Sequence, residues 1–449
     1  MKKVCILFVI IGLIITESKA QNTMYYMDRL PQIQQYNPAL IPKVKSYFGL
    51  PGIGTEQVEI NNSGFNLGQF LDFQNSIGEA NYNPDEFINS VGGINKTKLE
   101  TRSNLLALGF QPGKQDYLSM GLSIRNFADM VAPSKILYLT EDFESIADRL
   151  PLSINEINVQ TNTFSQFSVT YARTFWEKVN IGISPKLVGA LGGINTKKLD
   201  LEISQNDDYE NNSEYEDEYI ADYSGEVQIG LPMAINPDAI GDNGELIPEE
   251  DILDPDWVKN TLKNPLFKNT SLLFDIGVQY QLNSSWSFSA SILDIGKTSW
   301  KKYAYEIYFN DQDESAYVKE LSAFKVKVPS KLYIGSSYNI NPNWSAGFLF
   351  RDVMYDSQSY ASATISLNGY IGSMLSTSVS YTYGYSFDNL GLGLRLRFFP
   401  GMDLYMVTDN ILQAFNYKKV QYTTVALGMN ISFGVRKKHF KTEQEESLQ

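Results

Sequence analysis

The chain has 449 residues, longer than one ordinary soluble domain of ~100–200 residues, with 13% aromatics, 20% charged residues and a formal net charge of −14. So aromatic a composition excludes a disordered chain, and the acidic balance excludes the basic footprint of a nucleic-acid binder. A single Cys and a single His exclude an internal disulfide and a histidine cluster, and they argue against Ser-His-Asp hydrolases and metalloenzymes.

Residues 1–20 read as a secretory signal peptide. Lys2 and Lys3 precede an apolar run from Val4 to Ile15, and Ser18-Lys19-Ala20 forms a small-residue cleavage site. The run is shorter than the ~20 residues that span a bilayer, and Cys5 lies too far from the cleavage site for a lipoprotein anchor. Cleavage after Ala20 would remove Cys5, three lysines and one glutamate, taking the formal charge from −14 to −16. Residues 21–42 follow as a polar periplasmic segment containing Tyr36-Asn37-Pro38-Ala39-Leu40. It either folds into a lumen as a plug or simply leads into the first strand. Pro38 fixes the chain direction and Asn37 can bond its own backbone, so Gln21–Leu40 is expected to pack at the periplasmic mouth through Tyr25, Tyr26, Leu30 and Leu40.

From residue 43 to 434 the dominant signal is strict alternation, the mark of strands with two unlike faces. Leu272, Phe274, Ile276, Val278, Tyr280 and Leu282 alternate with Leu273, Asp275, Gly277, Gln279 and Gln281. Leu390, Leu392, Leu394, Leu396 and Phe398 alternate with Asn389, Gly391, Gly393, Arg395 and Arg397, and Val425, Leu427, Met429, Ile431 and Phe433 repeat the pattern. Fourteen strands are expected near 43–60, 98–111, 116–126, 164–176, 179–191, 271–282, 286–297, 328–340, 344–354, 359–369, 373–384, 388–399, 402–410 and 420–434. A soluble sandwich alternates too, but its strands average ~5–6 residues and its outer face is charged. Roughly 9–14 residues per segment, with Gly, Ser, Thr and Asn on the second face, fit a transmembrane antiparallel β-barrel of the outer membrane, whose lipid face is apolar and whose interior is polar. Arg173 falls on the apolar phase near a strand end, where it can snorkel.

Every second connection is a tight turn: 112–114, 177–178, 283–285, 341–343, 370–372 and 400–401. The intervening ones are longer at 61–97, 127–163, 192–270 and 298–327, then shorter near 355, 385 and 411–419, a pattern expected of periplasmic turns and external loops. Trp176, Trp286 and Trp344 flank short turns, where an interfacial girdle belongs. Between Leu199 and Val258 there are 19 acidic residues and no Lys or Arg. That composition would suit a divalent cation, but no EF-hand spacing is present and a solvated external tip is the simpler expectation. Lys198–Ile203 and Glu226–Leu231 alternate again, so two strands should extend outward beneath this tip. Residues 84–91 read as a short loop helix, and the tail 435–449, with His439, reads as a periplasmic end.

Chemistry is sparse. No catalytic residue, cofactor or metal ligand can be assigned, and no enzymatic activity is expected. Arg125, Arg351, Arg395 and Arg397 fall on the lumen phase. They either form a polar constriction that selects solutes or are neutralised by carboxylates such as Asp275.

Asn37-Pro38-Ala39, the run Leu390–Arg397, Leu404–Ile411 and Gly428–Gly434 resemble Bacteroidota outer-membrane barrels, specifically an uncharacterised family known as a domain of unknown function. More distantly the chain is similar to PorV/PorP-type barrels of type IX secretion and to FadL-type transporters. The latter resemblance implies fourteen strands, an N-terminal plug and transport of hydrophobic solutes. It carries over no ligand residue. The expected partners are outer-membrane lipid and lipopolysaccharide with a hydrophobic or small solute, or else the proteins of an envelope or secretion complex. An apolar bore running right through would favour transport; a solid lumen would favour a structural role.

Overall fold

An alternating strand buries one face only if its sheet closes or stacks. In the computed structural model the sheet closes. The structure describes residues 21–436 except 51–54, 67, 70, 73–83, 141–145, 147–148, 206–218, 233, 242, 248–268, 312–315, 356–358, 385–388, 400 and 412–421. Residues 1–20, expected to be a signal peptide, the densest part of the acidic tip and the tail beyond 436 therefore lie outside the described residues.

The strands in chain order begin with β1 (Val44–Gly49), β2 (Glu56–Asn62), β3 (Ile94–Phe110), β4 (Asp116–Pro133), β5 (Leu152–Ile154), β6 (Asn158–Phe175) and β7 (Val179–Gln205). They continue with β8 (Tyr219–Gly230), β9 (Asn269–Gln281), β10 (Trp286–Ile295), β11 (Lys297–Trp300), β12 (Ala304–Asn310), β13 (Tyr317–Glu320) and β14 (Phe324–Lys327). The last are β15 (Ser330–Asn341), β16 (Trp344–Met354), β17 (Ser359–Ile371), β18 (Leu375–Gly384), β19 (Asn389–Phe399), β20 (Met402–Thr408) and β21 (Tyr422–Val435). β1 and β2 are two halves of one wall strand, because each pairs with β21 on one side and β3 on the other. From β3 the ladder passes antiparallel through β4, β6, β7, β9, β10 and β15 to β21, so fourteen wall strands close the ring. No described helix is long and apolar enough to cross a membrane.

The outer surface is a continuous apolar belt. Leu272, Phe274, Ile276, Val278 and Tyr280 of β9 are exposed while Leu273 and Asp275 face inward. The same phase exposes Ile181, Ile183, Phe348, Ile365, Leu404, Met406 and Leu427 on other strands. So large an apolar area belongs in lipid, not water. Trp176, Trp286 and Trp344 are exposed beside the short turns. Arg173, exposed on the apolar phase, is balanced by Asp116 of β4 at 3.4 Å.

Several boundaries differ from the sequence reading. β3 starts at 94, not 98; β4 runs to 133, not 126; β6 starts at 158 and β7 reaches 205, not 191. These extensions keep pairing beyond the apolar belt, where residues such as Asn95, Lys96 and Thr97 no longer need an apolar face. β7 and β8 make the expected outward hairpin, and β5, β12 and β13 widen it into an external sheet. The tight turn expected at 370–372 lies at 372–374, because β17 continues to Ile371 and Gly372 turns the chain with φ of 58°. The connection 298–327 is not a simple loop, since it carries the separate hairpin of β11 and β14. Residues 84–91 form the expected helix.

Leu427 lies mid-strand on the lipid phase, so Leu427→Arg should cost about 2–4 kcal/mol in bilayers. A parent-like urea midpoint for that variant would show that this face does not meet lipid.

Candidate functional site

The bore holds the chain's own N-terminal segment. Gln21–Met24 makes one helical turn, and Pro31 opens a 3-10 turn over Pro31–Gln35. Asn37 then closes the expected local turn, its Oδ1 accepting from the Ala39 N–H at 2.9 Å. Its Nδ2 donates outward to the carbonyls of Val278 and Ala290 at 3.4 and 3.2 Å, fixing the turn to β9 and β10. Pro38 and Ala39 lie against β7, where a Cβ at Gly182 would stand 2.3 Å from the Pro38 carbonyl carbon. Gly277 makes room for Asn37, Gly347 for Tyr26, Gly391 for Thr23 and Gly393 for Met27. The wall is therefore shaped to this segment.

Both ends of the segment are tied by polar contacts. The Asp409 carboxylate accepts from the Asn22 and Thr23 N–H groups at 3.0 and 2.8 Å and from Thr23 Oγ1 at 2.6 Å. Between the ends, Gln32 and Asn430 exchange amide hydrogen bonds at 2.8 and 3.1 Å. At the short-turn end Asp28 pairs with Lys43 at 2.5 Å and accepts from Tyr370 at 2.7 Å. Tyr25 stacks on Tyr333 with centroids 5.7 Å apart. Met24, Leu30, Ile33, Tyr36 and Leu40 pack with Leu349, Tyr405 and Val407 of the wall. The segment thus occupies the bore and is joined to the barrel covalently only through β1.

Beside it lies a layer of buried charge. Arg125 forks onto Asp294 at 2.8 and 2.9 Å and reaches Glu100 at 3.1 Å. Lys331 also holds Glu100, and Lys186 bridges Asp275 and Asp294, each at 2.6 Å. Glu59 pairs with Lys98 at 2.6 Å and Arg351 at 2.9 Å. Arg125, Asp275 and Arg351 are thereby brought into one layer, with every one of them ion-paired. Arg395 and Arg397 sit apart from it, sharing Asp403 at 2.5 and 2.8 Å. Removing one member of such a buried pair strands the other, at a cost of about 3–5 kcal/mol. Glu59, Lys98, Glu100, Lys186, Asp294 and Lys331 were not singled out in the sequence; their signal was a lone charge on the lumen phase.

Toward the long-loop end the bore turns apolar. Trp300 of β11 stacks on Phe324 of β14 with centroids 6.0 Å apart, and both pack with Phe127, Phe164, Leu273 and Val353 of the wall. The gap against Glu100, Arg125 and Lys331 has no room for water. Along the plug runs a polar cavity offering about 50 Å³ to the centres of water-sized molecules, enough for about three or four waters at ~10–15 Å³ each. Among the described residues the bore is filled and no apolar passage runs through it, the outcome expected of a structural role rather than of an open transporter. Among the described residues no acidic or Cys/His group is arranged to hold a metal; the tip 206–218 lies outside them.

A profile described as "Family of unknown function (DUF5723)" matches residues 38–320 and 304–409. No curated protein matches the chain in sequence. Among solved structures, the Ralstonia pickettii toluene transporter TbuX is similar at TM-score 0.47 and 9% identity, over 90% of this chain and 94% of that one. The Pseudomonas putida toluene transporter TodX gives 0.43 and 9%, over 89% and 91%. The CymD monoaromatic hydrocarbon channel gives 0.43 and 11%, over 90% and 94%.

A side chain at 182 cannot coexist with the seated Pro38. Gly182→Val should therefore expel the plug and expose Arg29 to trypsin at least tenfold faster (about 1.4 kcal/mol of lost seating), while the barrel stays heat-modifiable on gels. Parent-like protection of Arg29 would mean that the glycines do not shape the seat.

Proposed function

We propose that this chain, which belongs to the DUF5723 family of unknown function, is a non-enzymatic outer-membrane channel closed by its own N-terminal segment and opened by that segment's displacement. The carrying observation is that much of the bore, apart from the wall's own layer of ion pairs, is filled by pieces lying outside the barrel ladder. Residues 22–40 form no wall strand, and β11 and β14 pair only with each other. A purely structural barrel could be filled by side chains of its own wall. Here the wall instead carries glycines where the plug lies, which leaves a cleared path when the plug departs.

The aromatic and aliphatic cluster around Phe127, Phe164, Trp300 and Phe324 supports a hydrophobic or amphipathic small solute as the first occupant of the long-loop end. The charged layer behind it would then favour solutes with a polar end. An exported chain with this apolar belt belongs in the outer membrane, its short turns toward the periplasm and its extended sheet outside.

Deleting residues 22–40 after the signal peptide, with the fold verified by heat modifiability, should raise single-channel conductance in planar bilayers. Unchanged conductance in a folded deletion variant would contradict gating and leave a partner-binding role, of the kind found in envelope secretion complexes, as the better account.

A further inference from the structure

We propose that the polar cavity beside the plug is a binding site for a small monovalent anion, of chloride or formate size, that bridges the plug to the wall. Its centre is Arg102. This guanidinium is 8% exposed, and among the described residues no carboxylate lies within ion-pair distance of it. Its one hydrogen bond runs from Nη1 to the plug's Gln35 Oε1 at 2.8 Å. In the ladder it stands directly opposite Arg125, and like charges so placed repel. Glu100 and Asp294 act on it only from beyond ion-pair distance, because both are engaged directly by Arg125, Lys186 and Lys331. A buried cation in that position calls for a counter-ion.

The cavity supplies the remaining ligands. Arg102 Nε, Asn104 Nδ2 and the plug's Gln34 Nε2 are buried N–H donors without partners, and all three side chains line the same space. The Gln34 amide is oriented by Ser119, whose hydroxyl donates to Gln34 Oε1 at 2.9 Å. Two unused amide donors, beside a guanidinium with no ion-pair partner and an unused Nε–H, are complementary to an acceptor that brings negative charge. Water in this space can satisfy the three donors, but it leaves the Arg102 charge without a counter-ion. The space of about 50 Å³ admits a chloride or formate with a water and excludes a gluconate. Because Arg102 and Asn104 belong to the wall and Gln34 to the plug, the bound anion stabilises the seated plug. The site exists whether or not the barrel conducts.

Crystals of the full-length mature barrel soaked in sodium bromide should show an anomalous bromine peak contacting Arg102 Nε and Asn104 Nδ2. In detergent, tryptic cleavage at Arg29 should be about tenfold slower in chloride at ten times its dissociation constant than in gluconate at equal ionic strength. Asn104→Ala, which keeps the Arg102 charge, should weaken that dependence, and Arg102→Gln should abolish it. Protection by formate without a bromide peak would assign the site to a carboxylate rather than a halide. Water density alone in the bromide-soaked cavity, with equal cleavage rates in chloride, formate and gluconate, would overturn the proposal.

Discussion

The closed hydrogen-bond ladder is the constraint from which everything else follows. Lipid offers no partner for a backbone N–H or C=O, so a sheet can sit in it only if its edges vanish. Once β21 pairs back onto β1 and β2, strand alternation becomes an inside-outside rule. Every second side chain must tolerate acyl chains, and every other one is forced into a shared interior. That interior receives all the hydroxyl, amide and charged groups of fourteen strands, and each must be paired, hydrated or covered.

The protein meets this requirement in layers. Polar side chains on the barrel side pair with a polar N-terminal segment, as the Asp409 carboxylate does with the Asn22 and Thr23 N–H groups and as the Asn430 amide does with Gln32. Charges that the plug does not reach pair with one another, Arg125 with Asp294 and Arg351 with Glu59. The long-loop end is dried by Trp300 and Phe324. Two of these three layers are built from segments that contribute nothing to the ring. The ring can survive their movement, whereas the ion pairs are fixed in strands and cannot leave. This division between a laddered wall and a separate filling is what the proposed gating rests on.

Alternation made much of this legible. Leu390, Leu392, Leu394 and Leu396 against Gly391, Gly393 and Arg395 placed the faces, and the short turns placed the ends. It could not reveal height or opposition within the bore. Arg125 and Asp294 stand 169 positions apart, and a period of two says only that both point inward. The extension of β4 past 126 escaped because Phe127–Pro133 puts apolar residues on both faces, and that of β7 past 191 because Gly192 and Gly193 interrupt an alternation that resumes only at Lys198. Trp300 and Phe324 escaped because four-residue strands are too short to show a period. The seat was present as glycines recurring on the lumen phase, but a missing side chain has meaning only beside the Asn37-Pro38 turn it accommodates. Asn37, Pro38 and Ala39 themselves were recognisable as a turn with local bonding; their grip on β7, β9 and β10 was not.

The central claim is that solutes pass only when the N-terminal segment leaves its seat. Thr23 Oγ1 and Ser380 Oγ lie 2.6 Å apart across the plug–wall contact, and residues 21–449 contain no cysteine. A Thr23→Cys, Ser380→Cys double variant can therefore be locked and unlocked by oxidation and reduction in the same bilayer. The account predicts that conductance is lost on oxidation and returns on reduction. Equal conductance in the two states, with the disulfide confirmed by mass, would contradict it.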